Sequence, residues 1–134
     1  VFLVDASAWV TLVESGSPYR AATAAMIRDP AWSLGALDLT LYEIGNAVGV
    51  KLRNPSAASA IVRLVLTSCR GRIVAIDRQL FDSALEIAGE HGLTVYDAAY
   101  VAAARRQGAT LVSTDIADLV SKGLAVTPDA ADYP

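Results

Sequence analysis

The sequence predicts an α/β domain with a mostly parallel central sheet covered by helices on both faces. Three observations predict it. Short, continuous apolar runs alternate along the chain with helical segments, the pattern of a parallel sheet with helical crossovers. The runs do not alternate apolar with polar, so each strand is expected to be buried on both faces. Acids stand directly after two of them, Asp5 and Asp115. In open parallel sheets, ligands sit beyond the carboxyl ends of the strands.

Val1 to Val4 reads as the first strand, with Asp5 at its carboxyl edge. Ala6 to Glu14 reads as a helix with Ser7 as its N-cap and Gly16 as its stop. A second helix restarts at Ser17-Pro18, runs to about Arg28 and breaks at Asp29-Pro30. Trp32 to Leu37 is the second strand, and Leu39 to about Lys51 the next helix. Leu41, Ile44, Val48 and Leu52 form one stripe on that helix. Glu43 points the other way, toward a second, partly apolar face where a lone surface charge is unexpected. Ser56 to Ser68 follows as a helix capped by Asn54-Pro55-Ser56, with Val62, Leu66 and Cys69 on one side.

Arg72 to Ile76 is the third strand. Asp77 caps a helix over Gln79 to Glu90, on which Leu80, Ala84, Ile87, Ala88 and His91 share one arc, and Asp82, Glu86 and Glu90 form a solvated face. The stretch Tyr96 to Arg106 follows, almost wholly of small residues, with no polar side before Arg105. Such a helix needs burial all round. Asp97 stands at its N-terminus, where the macrodipole favours a negative charge and where Asp is a preferred cap. Gly108 stops this helix. Ala109 to Ser113 is the fourth strand, Ile116 to Ser121 a short helix, and Leu124 to Val126 a last short strand. The chain of 134 residues fits one domain over 1–134, with a loose polar tail from about 127.

Bulk properties exclude several classes. At 54% hydrophobic the chain has ample material for a core, and no apolar run reaches membrane-span length. Cys69 is the one cysteine, which excludes an internal disulfide and suits a reducing cytoplasm. The formal charge of −3 means that any polyanion must be held locally, by basic residues or a bound cation. No glycine-rich phosphate loop, nucleophile elbow or Cys/His zinc cluster occurs. His91, the single histidine, lies on an apolar helix face and reads as a packed residue, not a base.

Carboxylates in unusual places remain: Asp5, Glu43, Asp97 and Asp115. Taken singly, each has a bland role as a turn, a tolerated charge or a cap. Brought together, they would repel, and a hard divalent cation with oxygen ligands resolves that conflict. The motifs Val4-Asp5-Ala6-Ser7-Ala8, Glu43-Ile44-Gly45-Asn46-Ala47, Tyr96-Asp97-Ala98-Ala99-Tyr100 and Ser113-Thr114-Asp115 resemble, in order and spacing, those of the PIN domains. Within that family they are similar to the VapC toxins of type II toxin–antitoxin pairs.

The resemblance implies a three-layer α/β/α sandwich and a Mg²⁺-dependent endoribonuclease, with Mn²⁺ as a possible substitute. By motif match, Asp5, Glu43, Asp97 and Asp115 are the acidic metal site, with Asp5 and Asp97 the most direct ligands. Ser7, Ser113 and Asn46 stand beside it. Some relatives carry a further acid just after the last motif. Here Ile116 and Ala117 stand there, and Asp118, a helical turn on, reads as an exposed residue outside the site. The resemblance also implies a VapB-type antitoxin, a homodimer and an RNA substrate. Arg53, Arg70, Arg72, Arg105 and Arg106 are candidates for holding RNA backbone. Apolar residues around Trp9, Leu12, Tyr19 and Met26 offer either core or an antitoxin groove. The alternatives are a non-catalytic PIN-like binding module and an aspartate phosphotransferase. The second lacks the required partner residues: Ser7 stands where a second acid is needed, and neither Lys51 nor Lys122 follows a late strand.

Overall fold

The computed structural model describes residues 1–134. Four strands form the sheet: β1 (Phe2–Val4), β2 (Leu34–Leu37), β3 (Ile73–Val74) and β4 (Thr110–Val112). Their order is β3-β2-β1-β4, and every pairing is parallel. The expected last strand at 124–126 is reduced to one parallel bridge, Val112 to Val126. The helices are α1 (Ala6–Val10), α2 (Arg20–Arg28), α3 (Asp38–Ile44), α4 (Pro55–Cys69), α5 (Arg78–His91) and α6 (Val95–Gln107). None is long and apolar enough to cross a membrane.

Alternation along each strand sends neighbouring side chains to opposite faces. On β1, Val4 joins one apolar cluster and Leu3 the other. The first cluster packs Val4, Leu34, Ala36 and Val112 against Trp9, Met26, Ile44, Val48 and the inner side of α4. The second packs Leu3, Leu37 and Leu111 against α5 and α6. The result is the three-layer sandwich: α1 to α4 on one face, α5 and α6 on the other. Trp9 and Met26 are buried and thus belong to the core, not to a docking groove.

Several local expectations change. The helix predicted over 39–51 is α3 followed by a wider, π-type continuation over Gly45–Lys51. On α4 the buried stripe is Ala58, Ile61, Val65 and Cys69, while Leu66 is 47% exposed. Cys69 is buried as expected, and burial pushes its thiol up to about 11, so it packs as an apolar group. The α4 cap is Asn54, whose Oδ1 accepts the Ala57 N–H, with Pro55 in the first turn. His91 ends α5 at the surface, half-buried beside Glu90. Beyond 127, Pro128 is buried, and the Tyr133 ring meets Trp32 edge-on while its hydroxyl donates to Asp29.

Candidate active site

Parallel pairing of β1 with β4 places both carboxyl ends at one edge of the sheet. The chain is tied there by the Asp5 N–H, which donates to the Val112 carbonyl at 3.0 Å. Asp5 leaves β1 and caps α1: its Oδ1 accepts the Ala8 N–H at 3.1 Å and the Ser7 hydroxyl at 2.6 Å. Asp5, not Ser7, is therefore the cap. Ser7 instead joins the two strand ends, because its oxygen also accepts the Thr114 N–H at 2.9 Å and lies 3.2 Å from Ser113 Oγ. Ser113 Oγ in turn accepts the Asp115 N–H at 3.0 Å. The two serines thus fix both acid-bearing loops against each other.

Asp5 is 4% exposed. Burial pushes its carboxyl from 3.8 up to about 6, against the hydrogen bonds from Ser113, Ser7 and Ala8, and the Glu43 charge adds to the rise. Glu43 projects from α3. Its carboxyl is also raised, chiefly by burial, while the Tyr100 hydroxyl opposes and the Asp97 charge adds. The Tyr100 hydroxyl donates to Glu43 Oε1 at 2.6 Å. Asn46 lies on the π-type continuation of α3, exposed, and lines a cleft of about 440 Å³ with Ser7 and Glu43.

The helix of small residues is α6, and Ala98 through Ala104 are all buried, as their composition requires. Its cap is Thr94, whose Oγ1 accepts the Asp97 N–H at 3.2 Å. Asp97 is the third residue of the helix, so its carboxylate is not spent on capping. Burial raises its carboxyl, and the charges of Asp115 and Asp118 raise it further. Lys122 opposes this weakly, with its ammonium bonded to the His91 carbonyl at 2.7 Å.

Carboxylate oxygens of Asp97, Asp115 and Asp118 all lie within 4.8 Å of one another. Asp118 is exposed, as its sequence position suggests, yet it belongs to the group. Asp115 is the reason: it caps the π-type turn Ile116–Val120, with its Oδ1 accepting the Asp118 N–H at 3.0 Å, which folds the later acid back onto it. Of the four acids singled out by sequence, Asp97 and Asp115 enter this tight group. Asp5 and Glu43 stand outside it but are electrostatically linked to it through Glu43 and Asp97. The chain's ion pairs, Arg78–Asp82, Glu90–His91 and Asp77–Arg106, involve none of these acids.

This donor set suits a hard divalent cation. Octahedral oxygen ligands about 2.1 Å from an ion lie about 3 to 4 Å apart, so these three carboxylates need only small side-chain rotations to share one. The group can therefore coordinate a divalent metal. None of the basic candidates pairs with these acids. Arg106 is committed to Asp77, and Arg70 and Arg72 line a cleft of about 500 Å³ with Arg28 and Trp32, beside the residues that precede β2 and β3. That cleft is at the end of the sheet opposite the acids.

The sequence matches the description "PIN domain" over residues 2–119, which takes in the whole sheet and all the acids above. The chain belongs to the PIN domain family. This PIN domain is 37% identical over 86 residues to the exonuclease VapC9 of Pyrobaculum aerophilum. The match covers 61% of this chain and 62% of that protein, so it spans less than two thirds of the relative's length. The crystal structure of PAE2754 from Pyrobaculum aerophilum superposes with a TM-score of 0.72 at 32% identity, covering 96% of this chain and 83% of that one. A toxin–antitoxin complex from Klebsiella pneumoniae shares the fold with a TM-score of 0.70 at 20% identity, over 96% of this chain and 98% of that one.

Sequence reasoning set Asp118 aside as an exposed residue and missed Tyr100 and Thr40. Tyr100 falls three residues after Asp97, and Thr40 three before Glu43, so each shares a helix face with an acid. That spacing was the available signal.

Proposed function

We propose that this PIN domain is the toxin of a type II toxin–antitoxin pair and a Mg²⁺-dependent endoribonuclease, with Mn²⁺ able to replace Mg²⁺. The observation that carries the reading is the Asp97–Asp115–Asp118 group, gathered at the carboxyl edge of a parallel sheet without a basic ion-pair partner. Asp97 and Asp115, joined by Asp118, hold the cation, and Asp5 and Glu43 complete the acidic site. Such a cation activates water for in-line attack and offsets charge on a phosphodiester. The chain's part is to hold its carboxylates in place and oriented: Ser7 and Ser113 fix the two loops, and Asn46 faces the cleft beside Glu43.

The partner reading is a VapB-type antitoxin, supported by the shared fold with the Klebsiella toxin–antitoxin complex. A homodimer is supported by an exposed apolar area at Ile76, Phe81, Val95 and Tyr96. The proposed setting is the cytoplasm, where RNA substrates lie.

The VapC9 name specifies an exonuclease, so the decisive substrate is a circular RNA, which has no ends. Incubation with the purified protein and Mg²⁺ should linearise the circle, excess chelator should stop it, and Mn²⁺ should restore it. Cleavage of linear RNA alone would replace the endonuclease by an exonuclease. Cleavage undiminished in chelator would overturn the metal reading, and no cleavage of either RNA would leave the non-catalytic binding module.

A further inference from the structure

Tyr100 is 2% exposed and Thr40 is fully buried, yet both hydroxyls sit on one continuous chain of hydrogen bonds. The Leu37 N–H donates to Thr40 Oγ1 at 3.1 Å. Thr40 Oγ1 and Tyr100 Oη are 2.8 Å apart, and Tyr100 Oη is 2.6 Å from Glu43 Oε1. A phenol has one hydrogen to donate, and an ionised carboxylate can only accept. The Tyr100 hydrogen therefore goes to Glu43, and the Thr40 hydrogen must go to Tyr100. The order of donation is Leu37 to Thr40 to Tyr100 to Glu43, and no buried side-chain polar atom is left unpaired.

The relay joins three elements. Leu37 ends β2, Thr40 and Glu43 lie on α3, and Tyr100 lies on α6 one turn beyond Asp97. A residue and the one three places on share a helix face. The turn of α6 that presents Asp97 to the metal group thus also grips Glu43 by Oε1 and leaves Oε2 free. Apolar packing alone would be served by Phe at this position.

We propose that Tyr100 is a positioning residue: with Thr40 behind it, it holds Glu43 at a fixed place relative to Asp97, so that Glu43 supports divalent-cation binding without searching for its orientation. This rests on the metal-site reading above. Partners that orient metal-binding carboxylates typically change affinity by about 10–100-fold when removed.

The test is Mn²⁺ titration by calorimetry on wild type, Tyr100→Phe, Glu43→Gln and the double variant, with folding checked by circular dichroism. Tyr100→Phe keeps the buried ring and should weaken Mn²⁺ binding about tenfold. In the Glu43→Gln background the same change should have no further effect, because Tyr100 acts through Glu43. Thr40→Val should weaken binding in the same direction, while Thr40→Ser, which keeps the hydroxyl, should retain wild-type affinity. Wild-type affinity in Tyr100→Phe, or losses that add in the double variant, would overturn the positioning role while leaving the metal site standing. If Tyr100→Phe does not fold, Thr40→Val decides, and unchanged affinity there overturns the relay. Wild-type protein that binds no Mn²⁺ would overturn the metal-site reading and this inference together.

Discussion

Asp97 illustrates how one side chain can be relieved of a structural duty and left to chemistry. Thr94 caps α6, so the Asp97 carboxylate is not its cap; it acts on the helix through the dipole, an effect of about 0.3–1 kcal/mol, and through the Thr94 side chain. Against this stand the charges of Asp115 and Asp118, which raise its carboxyl. Asp97→Asn is nearly isosteric and removes one of the three mutually repelling charges. In chelator the variant should melt at or slightly above the wild-type temperature, while Mn²⁺ affinity and RNA cleavage in Mg²⁺ should fall by at least tenfold. A variant that cleaves at the wild-type rate would remove Asp97 from the site. The complementary substitution is Thr94→Ala, which deletes the cap and should cost about 1 kcal/mol in denaturant melts. No change in Thr94→Ala would mean that the cap contributes nothing.

At the scale of elements, α6 is built of small residues because it is enclosed. Ala98 through Ala104 have no exposed face, and a larger side chain must displace either α5 or the sheet. Ala103→Leu should cost about 1–3 kcal/mol by overpacking. A denaturant midpoint equal to wild type would show unfilled space beside α6. The same enclosure explains what could be read from the chain. Apolar runs and stop signals locate strands and helices, because burial on both faces leaves no polar alternation to confuse them. Which stripe of α4 faces inward was not legible: Val62 and Leu66 are as apolar as Ile61 and Val65, and only packing against the sheet selects the second pair. The acids after β1 and β4 were legible because they follow strand ends. Asp118 was not, because an acid in the first turn of a surface helix has the ordinary reading of an exposed charge, and only the cap from Asp115 to its N–H places it beside Asp115. Tyr100 and Glu43 meet across 57 positions, a contact that no local pattern encodes.

Across the whole molecule, the acids at the carboxyl edge of the sheet make stability depend on pH and on metal in opposite directions. Asp5 is buried and its carboxyl is raised from 3.8 to about 6. The Glu43 and Asp97 carboxyls are raised as well. A group whose folded pKa exceeds its unfolded value holds a proton in the fold that the unfolded chain has released. Its ionisation therefore destabilises the fold above the folded pKa, and the penalty disappears as pH falls toward the unfolded value. For Asp5 the rise corresponds to about 3 kcal/mol of strain at pH 7, relieved between about pH 6 and pH 4. Asp29 and Asp77 act oppositely, since hydrogen bonds hold both below the ordinary carboxylate range, but their influence begins only near their unfolded value. In chelator, the melting temperature should thus rise as pH is lowered from 7 to about 5. Saturating Mn²⁺ should reverse the slope, because the cation binds ionised carboxylates and competes with protons. It should raise the melting temperature at pH 7 and lose that effect near pH 5. The decisive measurement is a pair of melting-temperature profiles over this range, one in chelator and one in Mn²⁺. Two profiles that coincide would show that the acids at this edge hold no cation. A chelator profile that falls steadily as the pH drops would show that burial of Asp5 does not govern the metal-free fold.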